Sequence, residues 1–590
     1  MPRSKSAARS SAFLLSKSTA PCYTPSMSWK IKQKLRTLLA AETNLCVSGF
    51  GRGGDLSICL VYPNIYRTGM GSLGFQTVYR LLVDCAGLQC ERTFLPDRDD
   101  LDEYRRSGSR LFSLESQRPL SDFDVIAFST SFEPDYLNIP FILSLAAIPL
   151  YAAERNQSNP LVIAGGAAFF INPEPVADFI DVICIGEAEV IIPGVVSALL
   201  SPRQDETRQA LLSALAAVPG IYVPSLYHPT YSQDRLCGYD VEAGSPYPVV
   251  RATACLEQHR PSSSQILSES TEFGDMFLIE VSRGCPRGCR FCSSGFSYGA
   301  FRQQPYKHLT ALVDEGLLHR NKVGLVGAAV SDYDQIGQLC RYIINMGARV
   351  SVSSLRIDRI DPEMLDALLA SGHKTISLAP EGGSQRLRDL IRKNLTEAQI
   401  LDACEMLISR DILNLKLYVI IGLPTETDAD LDELVRLVEA IRLRVIERAR
   451  ANRRLGEITL SINPFIPKPF TPFQWCGMEP LPALERKVKL LESRLRPLSN
   501  VRLKVESLRE SYLQALLSRG DRRLSPLLAA MAGGASLKRA ARVCGIDTEW
   551  YVQRDIAEDE LLPWSIIGTA DMVMMRREYE RAFAECGGSP

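Results

Sequence analysis

Three cysteines stand close together in the stretch EVSRGCPRGCRFCSSGF, which begins at Glu280. Cys285, Cys289 and Cys292 are spaced C-x3-C-x2-C. With 16 cysteines in 590 residues, such a pattern arises by chance about 0.01 times per chain, from the cube of the cysteine frequency times the length. Three thiolates on one loop can hold three irons of a [4Fe-4S] cluster and leave the fourth iron open to another ligand. A zinc ion would call for a fourth Cys or His, and none occurs in the ten residues after Cys292. Structural zinc and a plain electron-transfer cluster stay open as alternative occupants. The other cysteines are scattered, and Cys46, Cys59, Cys85, Cys90 and Cys184 read as small apolar core residues. Histidine is scarce at five, so chemistry resting on several imidazoles has little to draw on.

The elements that must position this loop read as two α/β units and a tail. From residue 273 to 480, apolar runs at 277–281, 322–326, 349–353, 375–378, 415–421 and 458–462 alternate with helical patterns. Six strands of this kind predict a partial (β/α)6 barrel, with the cysteines just past the first strand. Upstream, across residues 50–200, strands at 57–62, 124–129, 161–164 and 181–185 alternate with helical stretches at 72–82, 136–150 and 188–200. That pattern predicts a doubly wound parallel sheet. Small residues follow its strands: Gly69 and Ser72, Ser129, and Gly165 with Gly166. Ligands of such sheets bind at the carboxyl ends, where small residues let them approach the backbone, and glycines there also serve simply as turns. Residues 201–272, with the serine patch Ser262 to Ser264, read as a linker with extended segments, and residues 481–590 as a mainly helical region.

The loop and the segments after the barrel strands resemble the radical S-adenosylmethionine superfamily, with Phe291 in its aromatic position before the third cysteine. The resemblance implies that the open iron binds S-adenosylmethionine and that one-electron reduction yields a 5′-deoxyadenosyl radical. It implies a small reductant, or a flavodoxin- or ferredoxin-type donor, as partner. Val326-Gly327-Ala328-Ala329 looks like the segment that meets the methionine amino group, although it departs from the common Gly-Gly-Glu form. Glu381 and Ser384 fall in the ribose-contacting segment. Lys393 falls where a basic residue meets the methionine carboxylate, and Gly422 in the stretch that lines the adenine. The segments YPNIYRTGMGSLGFQ (from Tyr62), AGG (from Ala164) and GEAE (from Gly186) resemble the subgroup with an N-terminal cobalamin-binding-like domain. On that likeness Gly69, Ser72, Ser129, Gly165 and Gly166 are the candidate cobalamin contacts. The first histidine, His228, lies past that domain, so cobalamin either binds without a protein histidine or has been lost. Methyl transfer, a cobalamin-independent rearrangement and methylthiolation are the reactions the resemblance offers, and an iron–sulfur carrier or assembly protein is the non-enzyme reading.

Composition narrows the classes further. Lys+Arg at 67 nearly cancels Asp+Glu at 68, so charge gives no nucleic-acid signature. The longest uncharged apolar stretch, 139–153, is shorter than the roughly 18–20 residues of a membrane span and contains Pro140 and Pro149. The cysteine usage predicts a reducing, cytoplasmic setting. Residues 1–28 have no acidic residue and read as an unfolded tail, with Met27 opening a more ordinary amphipathic segment. The catalytic acid/base residues and the substrate are not legible, because Tyr298, Tyr306 and Lys468 are merely polar groups near the expected barrel mouth.

Overall fold

The computed structural model describes residues 28–46, 54–202, 207–353, 355–568 and 571–585. The expected tail, apart from Ser28, and the choice between Met1 and Met27 lie outside the described residues.

The first sheet contains β1 (Leu56–Tyr62), β2 (Leu88–Phe94), β3 (Val125–Ser129), β4 (Leu161–Gly165), β5 (Val182–Cys184) and β6 (Ile221–Tyr222), in the order β2-β1-β3-β4-β5-β6. The first five are parallel and β6 closes the edge antiparallel. Every residue of β1 (LSICLVY) is buried, as befits a central strand of a doubly wound sheet. Helix α1 (Leu73–Val83) follows β1, with Ser72 as its cap, the serine Oγ accepting from the Phe75 amide at 3.4 Å. Helix α2 (Ala188–Leu200) follows β5. The apolar pattern does not predict β2, since Glu91 and Arg92 interrupt it. Arg92 is nonetheless 2% exposed, because its guanidinium meets Glu42 and Glu115, each at 2.6 Å.

The second unit is a parallel barrel sheet in two parts. Strands β7 (Phe277–Glu280), β8 (Lys322–Val326) and β9 (Arg349–Val352) form one part, and β10 (Thr375–Glu381), β11 (Asn414–Ile421), β12 (Ile458–Pro464) and β13 (Val501–Val505) the other. A parallel bridge between Leu355 and Leu378 joins them. The seventh strand, β13, exceeds the six expected and carries the sheet past residue 480. Its sequence VRLKV alternates half-buried Val and Leu with exposed Arg502 and Lys504, a weak signal that suits an edge strand.

Residues 201–272, expected as a linker, hold a helix (Arg208–Ala216), β6 and a hairpin of Tyr227–Ser232 against Arg235–Val241. Ser262, Ser263 and Ser264 are buried rather than loose. Ser263 bridges Ile279, the Glu280 amide donates to the Ser262 carbonyl, and the Leu278 amide donates to Ser264 Oγ, so this run covers the free edge of β7. The helical tail region docks on the first sheet through Arg522, which pairs with buried Glu174 at 3.2 Å. Lys468, expected near the barrel mouth, is instead paired with buried Glu133, to which Ser518 also donates.

Candidate functional site

The carboxyl ends of both sheets open into one shared cavity of about 450 Å³. On the first sheet its wall comprises Ser129, Ser131 and Gly166, followed by Glu187 and Glu189 at the start of α2. On the barrel side it comprises Glu280, Ser282 and Gly284 after β7, and Val326, Gly327 and Ala328 after β8. Ser294 and Tyr298, just past the cysteine loop, complete the wall.

The cysteine loop leaves β7 through Ser282 and Gly284. Cys285 and Cys292 are half-buried and Cys289 is buried. Burial pushes the Cys289 thiol up to about 11 and raises that of Cys285, while nearby Lys393 and Arg356 act in the opposite sense on Cys289. Iron bound here would displace those protons, because the thiolate is the ligand, and Lys393 and Arg356 would offset the charge that results. Among the described residues no His, Cys, Asp or Glu side chains are gathered into a single-ion cage. A cubane cluster spreads its thiolates over separate irons, so three thiols on one loop with neighbouring cations fit it.

Two carboxylates peg the loop. Arg287 reaches Asp332 at 2.8 Å and Asp358 at 3.3 Å, and Arg356 reaches the same pair. Arg290, 2% exposed, is held from the other side by the C-terminal helix.

Of the segments expected to contact S-adenosylmethionine, the one holding Gly327 alone lines the cavity. Gly327 faces it: a Cβ there would lie 2.9 Å from Ser282 Oγ, which is buried without a hydrogen-bond partner. The absent side chain leaves a cradle beside an orphaned hydroxyl, which suits a polar ligand. Glu381, at the end of β10 with φ +63°, receives a bond from Lys393 Nζ at 3.4 Å, so the two expected contacts meet. Phe291 is half-buried and packed on the core. Ser384, by contrast, is 1% exposed and committed elsewhere: its Oγ donates to Asp430 at 2.6 Å and accepts from the Leu387 amide as a helix cap. Gly422 is buried at φ +73°, and its amide donates to Glu426 Oε2 at 2.7 Å. Both residues thus bond within or beside their own turns.

On the first sheet, Gly165, Gly166 and Ser129 line a narrow apolar crevice of about 90 Å³ between α1, α2 and the sheet. Gly166 has φ +113°, and a Cβ would meet the Thr130 carbonyl oxygen at 2.4 Å, so this turn requires glycine. Gly69 lines neither space and packs beneath Phe94. Ser72 is occupied in capping α1.

One network was not legible in the sequence. Arg283 bonds to Glu187 at 2.9 Å, Glu189 at 2.6 Å and Glu280 at 2.9 Å, and Arg302 also pairs with Glu187. Burial opposes charge on both partners, yet Glu280 and Glu189 hold Arg283 above its ordinary value, and Arg302 and Arg283 hold Glu187 below the usual carboxylate range. The network fastens the GEAE turn of the first sheet to the start of the cysteine loop. Its long-range partners lie 94 to 115 residues apart, so only the i, i+3 pair Glu280/Arg283 carried a local signal.

The family model described as "Radical SAM superfamily" matches residues 279–438, and that described as "Radical SAM proteins, N-terminal" matches residues 74–224. The chain belongs to the radical S-adenosylmethionine superfamily. Membership implies a [4Fe-4S] cluster and S-adenosylmethionine for this enzyme fold, and the three-cysteine loop and the Ser282/Gly327 cradle fit them. A radical S-adenosylmethionine barrel with an upstream doubly wound domain is thus the architecture in hand. An uncharacterised protein of Methanocaldococcus jannaschii is 28% identical over 475 residues, covering 80% of this chain and 90% of that one. A tRNA-2-methylthio-N(6)-dimethylallyladenosine synthase of Hydrogenobaculum sp. is 25% identical, over 36% of this chain and 51% of its own length. The chain therefore spans about half of that synthase. Among solved structures, the cobalamin-dependent S-adenosylmethionine radical enzyme OxsB with aqua-cobalamin and S-adenosylmethionine bound is 13% identical, with a TM-score of 0.43 over 83% of this chain and 70% of that one. No helix among the described residues is long and apolar enough to cross a membrane.

Proposed function

We propose that this radical S-adenosylmethionine enzyme binds cobalamin between its two sheets and transfers a methyl group to an unactivated carbon. The observation that carries this reading is continuity: the apolar crevice and the shared cavity have Val78, Ser129, Gly166, Gly186 and Ala188 in common. The cavity offers the serine hydroxyls of Ser129, Ser131 and Ser282 to the amide fringe of the cobalamin macrocycle, and the crevice adds an apolar wall beside them. When bound, the cluster and S-adenosylmethionine together supply a 5′-deoxyadenosyl radical, and cobalamin supplies a transferable methyl group.

The chain's own residues hold and orient these groups. Cys285, Cys289 and Cys292 are the iron ligands. Lys393 presents its ammonium to a carboxylate, sharing it with Glu381. Ser282 offers its unpaired hydroxyl beside Gly327. The Arg283 network keeps the two walls in register and leaves its carboxylates at the cavity surface. An electron donor of the flavodoxin or ferredoxin type, or a small reductant, is part of the same proposal.

Methylthiolation, the activity in the name of the synthase relative, is the second reading. The placement of Cys59 and Cys90 as buried thiols within β1 and β2 favours the first, since such thiols are core residues rather than cluster ligands. Protein produced anaerobically with its cluster and mixed with hydroxocobalamin is expected to leave gel filtration with stoichiometric corrinoid absorbance. Elution with an intact cluster and no corrinoid would turn the reading to cobalamin-independent radical chemistry.

Lys393→Ala is expected to weaken S-adenosylmethionine binding at least tenfold without altering the cluster spectrum, because removing one partner of a partly desolvated charge pair costs ~2–5 kcal/mol. Titration calorimetry checks this, and an unchanged affinity would show that the segment does not meet the carboxylate.

A further inference from the structure

Arg290 lies between the second and third cysteines, and three separate chain segments fix it. Its amide donates to the Ile391 carbonyl at 3.0 Å, and its carbonyl accepts from the Phe473 amide at 3.1 Å. Its guanidinium donates to the Leu390 carbonyl at 2.9 Å and pairs with Glu578 at 3.3 Å and Glu585 at 3.1 Å. Glu578 and Glu585 belong to the last helix, Met572–Glu585, whose inner face is anchored by Tyr579 on Trp475 (5.4 Å between ring centroids) and Phe583 on Phe473 (6.3 Å).

Glu578 also takes Arg392 at 3.1 Å. Arg392 in turn lies against the cysteine loop, since a Cβ on Gly288 would meet its Nη1 at 3.2 Å. Arg392 and Asn394 have φ +52° and +54°; asparagine enters this left-handed region readily, whereas a long side chain such as that of Arg392 is held there by its surroundings. Lys393 sits between them. A single buried carboxylate on the last helix thus grips both the loop that carries the cysteines and the strained turn that presents Lys393.

We infer that Glu578 is a positioning residue that couples the cysteine loop to the Lys393 turn, so that the C-terminal helix holds the cluster ligands and the S-adenosylmethionine carboxylate partner in fixed register. The role of Lys393 and of the cysteines rests on the reading above, whereas the coupling of the two segments belongs to the chain alone and is measurable without either cofactor.

The test compares full-length wild type with Glu578→Gln, Glu578→Asp and, as a control on the exposed face of the same helix, Glu580→Gln. Hydrogen–deuterium exchange of the protein without cofactors reads the two segments directly, and circular dichroism and thermal melting confirm that each variant folds. In Glu578→Gln, exchange at residues 287–295 and at 391–394 is expected to rise together by about tenfold, because the variant takes the shared counter-charge from buried Arg290 and from Arg392 on the adjoining turn. Glu578→Asp is expected to recover part of that protection, and Glu580→Gln to match wild type. In reconstituted protein, Glu578→Gln is expected to raise the Kd for S-adenosylmethionine about tenfold and to reduce the change in the cluster's electron paramagnetic resonance signal on its addition. The inference is overturned if folded Glu578→Gln shows wild-type exchange in both segments, or if one segment loosens while the other does not. Wild-type protein that binds no cluster would instead count against the functional reading and leave the exchange result standing.

Discussion

Cys289→Ala is expected to lose both the bound cluster and all reductive cleavage of S-adenosylmethionine. The loop supplies three thiolates and no fourth Cys or His follows within ten residues, so no neighbouring ligand can replace the missing one. The same outcome is expected for Cys285→Ala and Cys292→Ala. Cys340→Ala and Cys404→Ala should retain iron, because those thiols are fully buried in helices of the barrel's outer layer. Iron analysis and the absorbance of anaerobically reconstituted protein report the cluster, and chromatography of the nucleoside product reports cleavage. Full iron and activity in Cys289→Ala would remove the loop from its assigned role.

Arg92→Met is expected to destabilise the first domain by ~3–5 kcal/mol, as removal of one partner leaves Glu42 and Glu115 buried without their shared counter-ion. Both carboxylates lie at 4% side-chain exposure or less. Burial already raises the Glu115 carboxyl, and Arg92 is what opposes that rise. Without Arg92 its folded-state pKa moves higher still, above the unfolded value. Stability of the variant is then retained in acid, where Glu115 is protonated in both states, and lost as pH rises through the folded pKa. The deficit should therefore be larger at pH 7 than at pH 5, and adding Glu115→Gln and Glu42→Gln should recover much of it. Urea unfolding followed by circular dichroism at the two pH values checks this, and a pH-independent deficit would contradict it.

That ion triad also shows where the sequence falls silent. Strands β1, β3, β4 and β7 to β12 announce themselves because each is a short apolar run, and the cysteine loop is legible because its three ligands lie within eight residues of one another. Strand β2 is hidden by Glu91 and Arg92, whose burial depends on Glu42, 50 residues upstream, and on Glu115, 23 residues downstream. The Arg283 network and the Glu578 grip are likewise long-range pairings that no local pattern encodes. Ser384 illustrates the converse: its position within a familiar segment suggested a ligand contact, and no local pattern revealed that its hydroxyl also caps a helix and donates to Asp430. Residue types near the chemistry were readable; which of them still have a free hydrogen-bonding atom was not.

A cluster held by Cys285, Cys289 and Cys292 is expected to generate an adenosyl radical beside the shared cavity. The most direct measurement is quantification of 5′-deoxyadenosine after anaerobic reconstitution with iron and sulfide, reduction with dithionite and addition of S-adenosylmethionine. Wild-type protein is expected to form 5′-deoxyadenosine in a time-dependent manner, and its reduced cluster is expected to change its electron paramagnetic resonance signal when S-adenosylmethionine is added. Protein that carries a reducible four-iron cluster, yet forms no 5′-deoxyadenosine and leaves that signal unchanged, would contradict the account.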